Sequence, residues 1–201
     1  MGDPSARAAL LLAFLVCCTT TSYAQDTVFD YDTDSSGYWH EGSNWDQGTG
    51  PDGANHVVVI DRPSASPTIT FNSTSGTRLV KSLTSEESII LSGGTLEVLT
   101  NAQLNGSFML SGGTLKGGAV HSISGIDVTS SANNSIDGIA LTGDLQLTSS
   151  GDYVKVLNGL TLNGTANLSG SSATLDFAGT QTLGASSGQT ATVDMLSLIH
   201  I

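Results

Sequence analysis

Four carboxylates near the amino terminus have the spacing of a calcium loop. With Asp30 as the first position, Asp32, Asp34 and Glu41 fall at the third, fifth and twelfth. That is the oxygen-ligand spacing a hard cation takes in an EF-type loop, and calcium is the one cofactor the sequence suggests. The pattern is incomplete. The sixth position, where the sharp turn calls for glycine, holds Ser35, and the glycine arrives two residues late as Gly37. No helical pattern flanks the loop, so a solvated acidic strand is the competing reading.

The remaining titratable groups form no catalytic pattern. Glycoside hydrolysis needs two carboxylates at a fixed separation of about 5–9.5 Å. Asp127, Asp137, Asp144 and Asp152 are the candidates, but their spacings differ and read more naturally as turn positions. His40, His56 and His121 stand far apart without metal-ligand spacing. A polysaccharide lyase would need a cation clamp, and no arginine follows Arg78. The expectation is a protein that is not an enzyme. With 6 basic against 18 acidic residues, the net charge is −12. Nucleic acid is therefore an unsuitable partner, because phosphate backbones are held by clustered Lys and Arg.

The elements that would position these groups are visible as a repeat. The hexapeptide LSGGTL occurs twice, with Leu91 and Leu110 separated by 19 residues. The same step sets Ile89 over Phe108 and Leu96 over Leu115, and brings Phe71, Ile90 and Met109 into a file. Further on the step is 21, aligning Val120, Leu141, Leu162 and Leu183, as well as Ile126, Leu147 and Leu168. At that step Val154 meets Leu175 and Val156 meets Phe177.

Within each unit the apolar residues alternate, as in Leu160-Thr-Leu162 and Ala173-Thr-Leu175-Asp-Phe177, which predicts short half-buried strands. A unit of about 20 residues that recurs in this way is the signature of a solenoid, each coil burying its inner side chains by stacking on its neighbours. The fold expected is all-β: a single-stranded parallel β-helix, or β-solenoid, with about 19–21 residues per coil. A hairpin meander turning at Gly93-Gly94 and Gly112-Gly113 is the alternative, but hairpins place no demand on residues 21 positions apart.

The chain is expected to divide into four stretches. Residues 1–24 read as a secretory signal peptide. Arg7 supplies the positive end, Ala8–Val16 the apolar core, and Ser22 and Ala24 the small residues before a cut at Gln25. Cys17 and Cys18 would leave with it, so the mature chain would have no disulfide to rely on. Val16, rather than a small residue, precedes Cys17, which argues against a lipid anchor there. The apolar run is too short to span a bilayer.

Residues 25–60 gather both tryptophans, Trp39 and Trp45, with Tyr31 and Tyr38. Bulky rings suit the closing of an open solenoid end, so this stretch is read as an aromatic cap. An exposed tryptophan pair stacking on sugar rings is the other reading. Residues 61–195 carry the repeats. Residues 196–201, LSLIHI, abandon the repeat composition and resemble a translated sequencing adapter, which would make the chain an amino-terminal fragment of a longer protein. An uncovered final coil would then be free to self-associate through its edge.

The run Trp39-His-Glu-Gly-Ser-Asn-Trp45, followed by Pro51 and the strand Val57-Val-Val-Ile60, resembles the opening segment of large bacterial secreted proteins. LSGGTL is similar to the G-G-T-L core of their autotransporter-type β-strand repeats. The resemblance covers most of residues 37–185. It implies a right-handed parallel β-helix and a passenger-like or adhesin-like stalk. It also implies export to the cell surface, the outer membrane or the extracellular space, with surface glycans or cell-envelope components as partners. A carbohydrate-binding or carbohydrate-active β-helix is the alternative function.

Overall fold

The structure, a computed structural model, describes residues 24–195 apart from residue 132. Most of the signal-peptide stretch and all of the adapter-like residues 196–201 therefore lie outside the described residues. The chain winds as an all-β parallel solenoid. Every paired strand in it runs parallel to its neighbour, from the first ladder to the last. The hairpin meander is thereby excluded.

Three ladders of strands form the three faces of the winding. The second face begins with β1 (Thr27–Asp30) and β3 (Gly53–Ile60), continues through the later halves of β5 (Thr77–Ser85) and β7 (Thr95–Leu104), and reaches β10 (Ala119–Ser122). It ends on β12 (Ser135–Thr142), the middle of β14 (Tyr153–Leu168) and β16 (Leu183–Gly184). The third face stacks β2 (Gly37–Tyr38), β4 (Thr68–Phe71), β6 (Ser88–Leu91), β8 (Phe108–Leu110) and β11 (Ile126–Val128). β13 (Leu145–Gln146), the end of β14 and β17 (Ala191–Met195) complete it. The first face uses the opening halves of β5, β7, β12 and β14 together with β9 (Thr114–Lys116) and β15 (Thr174–Phe177).

The core consists of files of like residues. On the second face Phe29, Val58, Leu83, Ala102, Val120, Leu141 and Leu162 follow one another rung by rung, all buried. On the third, Ile69, Ile89, Phe108, Ile126, Leu145 and Ala166 do the same. Each large aliphatic so buried contributes roughly 1.5–3 kcal/mol, and no coil could bury its file without the next. Where serine takes an inner position its hydroxyl is satisfied at the adjoining corner. Ser85 Oγ donates to the Glu87 carbonyl at 2.8 Å and Ser122 Oγ to the Gly125 carbonyl at 2.7 Å.

Most of the expected stackings are present: Ile89 on Phe108, Leu96 on Leu115, Val120 on Leu141 on Leu162, Val154 on Leu175, and Val156 on Phe177. Three are not. Phe71 pairs with Leu91 instead of Ile90, Ile126 pairs with Leu145 instead of Leu147, and Leu183 pairs with Leu160 instead of Leu162. The physical reason is unequal corner length. Between β12 and β14 the ladder shifts as well: Asp137 pairs with Leu157 but Ile139 with Leu160, so β14 carries one extra residue opposite Gly138 (φ 62°).

The repeated glycines serve close approach between corners. A Cβ on Gly94 (φ 73°) would lie 2.3 Å from the Gly76 carbonyl oxygen, and one on Gly113 would lie 2.7 Å from Leu91 Cγ. The two LSGGTL copies are not conformationally identical. The left-handed residue is the second glycine of the first copy and the first glycine, Gly112, of the second.

Candidate functional site

The amino-terminal end is closed by rings. Trp39, Trp45 and Tyr31 are buried. Trp39 lies 5.2 Å from Trp45 and 5.5 Å from Phe71, centroid to centroid, and Tyr31 meets Trp45 edge-on at 5.3 Å. Their polar atoms are all spent internally. Trp39 Nε1 donates to the Pro51 carbonyl, Trp45 Nε1 to the Trp39 carbonyl, and Tyr31 Oη to the Ser35 carbonyl. This is the arrangement of a cap. It overturns the reading of the tryptophans as an exposed sugar-stacking pair, since neither indole face reaches solvent.

The cap is not a separate layer. β1 and β2 already belong to the ladders, so the rings sit on a first coil built like the others. Arg78 occupies the inward register position above Leu96 and turns out to meet Asp52, with Nη1 2.8 Å from its Oδ2. Asp52 Oδ1 also accepts the Leu79 N–H at 3.2 Å. One carboxylate therefore ties both the Arg78 side chain and the Leu79 backbone to the stretch that leads into β3.

The four calcium candidates are distributed among other partners. Asp34 and Asp32 both face Arg62, at 2.7 Å and 3.6 Å. Glu41 accepts from the Tyr38 N–H and from Asn44 Nδ2. The backbone of Asp30 is paired with Asp46 through both its N–H and its carbonyl. Among the described residues, no three of His, Cys, Asp and Glu come together so as to hold a metal ion. Burial, with the charge of Glu41 adding to it, holds the Tyr31 phenol above its ordinary range.

The aspartates of the later coils separate into two kinds. Asp137 and Asp144 tie corners together: Asp137 Oδ1 accepts from Asn158 Nδ2 at 2.6 Å, and Asp144 Oδ1 accepts the Thr165 N–H at 2.8 Å. Asp127 and Asp152, in contrast, line one open cavity of about 330 Å³ on the third face. Its floor is formed by the outward side chains of Met109, Asp127 and Gln146, which are consecutive rungs of a single file. Its wall is the turn 148–152, held in shape by the Ser149 N–H donating to Asp152 Oδ2 at 2.6 Å.

Behind this trough the buried Asn134 clamps two coils, donating through Nδ2 to the Thr129 carbonyl at 2.7 Å and to the Tyr153 carbonyl at 3.0 Å. A hollow of about 280 Å³ lies at the first-to-second-face corner around Asn158 and Gly159. There the polar groups already bond to one another, Gly159 N–H to Gln181 Oε1 among them. Sequence spacing separated Asp127 from Asp152, and the coil places both on the one cavity. The signal that could have indicated this was the long polar corner between Leu147 and Tyr153, which projects from the face instead of crossing it.

Together these features define a parallel β-helix with an aromatic amino-terminal cap and a polar trough on one face. Compared with protein-family models, with curated proteins and with solved structures, the chain matches none of them.

Proposed function

We propose that this chain is a non-enzymatic, exported scaffold: a passenger-like or adhesin-like stalk segment of a larger bacterial surface protein. The observation that carries the reading is the unbroken second-face file from Phe29 to Leu162 beneath a closed aromatic end. A solenoid core of this kind grows by adding coils and presents long flat faces, which suits display at a distance from a membrane. The Trp39–Trp45 run and the LSGGTL repeats support the autotransporter-type resemblance, and the Arg7–Ala24 pattern supports export. An acidic surface with net charge −12 suits solubility outside the cell.

The test is expression of the full chain in a Gram-negative host, with and without residues 1–24, followed by fractionation and protease shaving of intact cells. Export that depends on residues 1–24 supports the reading. Retention of both forms in the cytoplasm would remove it.

A further inference from the structure

We propose that the trough on the third face is a saccharide site, taking a neutral hexose chain laid along the solenoid axis. The inference rests on the surface-scaffold reading only for where such a chain would be met; the site itself is argued from its chemistry.

Sugars present an apolar C–H face and a rim of hydroxyls, and the trough offers a complement to each. Met109 is 37% exposed at its upper end, a soft and adaptable surface for a C–H face. Above it in the same outward file come Ile90, Thr70 and the 43%-exposed Tyr38, so the file leads from the trough toward the cap. Below it, Asp127, Gln146 and Thr148 supply a carboxylate, an amide and a hydroxyl.

Asp152 is the most telling residue. It is 2% exposed and lines the cavity; Oδ2 accepts the Ser149 N–H, whereas Oδ1 has no hydrogen-bond partner among the described residues. With Oδ2 engaged by the turn, Oδ1 is the acceptor left for an arriving hydroxyl, and a sugar hydroxyl donates strongly to a carboxylate.

Charge narrows the ligand further. No Lys or Arg lines the trough, and its two carboxylates repel acidic polymers. Successive rungs rise by about 4.8 Å, close to the length of one hexose unit, so equivalent contacts recur along an extended chain.

The experiment is calorimetric titration of the purified chain with neutral cello- and malto-oligosaccharides, with polygalacturonate and an extended neutral peptide as comparisons. A neutral oligosaccharide is expected to bind at about 1 mM or tighter. Affinity should fall at least fivefold in both Met109→Ala and Asp127→Ala, which alter exposed side chains and leave the core files intact. Asp152→Asn, which keeps the shape of the turn, should weaken binding as well, with circular dichroism checking the fold of each variant. Absence of heat with every oligosaccharide would overturn the proposal, as would equal binding by folded variants or a preference for the peptide or the polyanion. None of these results bears on export, so failure here leaves the scaffold reading to its own test.

Discussion

Trp45 donates its indole N–H to the main-chain carbonyl of Trp39 at 2.9 Å, while the ring of Trp39 lies over Phe71 of the following coil. One hydrogen bond thus links the segment that leaves the first coil to the ring that closes the core. Trp39→Ala is expected to cost about 3–5 kcal/mol, the range for deleting a buried large aromatic, and Trp45→Phe about 1–3 kcal/mol for the orphaned Trp39 carbonyl. Urea unfolding followed by circular dichroism measures both. A loss below about 1 kcal/mol for Trp39→Ala would mean that the rings decorate the end without sealing it.

Glycine at position 94 answers to two constraints, a left-handed backbone and a stacked corner 2.3 Å from where a Cβ would sit. Gly179 is also left-handed, at φ 79°, but nothing lies within 4 Å of its would-be Cβ. Gly179→Ala should therefore lose only the backbone contribution of about 1–2 kcal/mol, and Gly94→Ala distinctly more. Equal losses in the same unfolding experiment would contradict the close packing of the corners.

Stability should fall on the alkaline side. Burial, with Glu41 adding to it, raises the Tyr31 phenol; the hydrogen bond to Asp176, followed by burial, raises Tyr153. A raised folded-state value means that the stabilisation is complete below the unfolded tyrosine range of about 10. It is lost as pH rises through the folded values, because the unfolded chain ionises first. Urea midpoints should hold steady up to about pH 9 and drop beyond it. Tyr153→Phe should flatten the drop, and a midpoint independent of pH between 9 and 11 would refute the assignment (about one unit either side of the free phenol).

Calcium is expected to leave the protein unaffected. Arg62 already pairs with Asp34 and faces Asp32, and Glu41 is engaged with Tyr38 and Asn44. Titration with calcium at about 1 mM should give no heat, and a chelator should not move the melting temperature. A calcium-dependent rise in melting temperature that Asp34→Asn abolishes would restore the loop reading.

The last described coil is less covered than those before it: Val193 and Met195 are 39% and 66% exposed, and Leu175, Phe177 and Leu183 are only partly buried. The chain of 201 residues should associate through this end as its concentration rises. Light scattering should show a growing mean mass that Val193→Lys reduces. A monomer throughout would count against edge pairing.

Much of the winding can be read from side-chain order, because stacked coils demand like residues at a regular step. Leu96 over Leu115 and Val120 over Leu141 followed from that alone, as did the gathering of rings between Tyr31 and Trp45. Register at the corners could not be read in the same way. Phe71 against Leu91 and Leu160 against Leu183 depend on how many residues each corner absorbs, and polar corner residues bury little that would fix their number. The placing of Asp127 and Asp152 on one cavity and the meeting of Arg78 with Asp52 were decided only in three dimensions. The linear order encodes which side chains must leave water; the coil path chooses which polar groups then face one another.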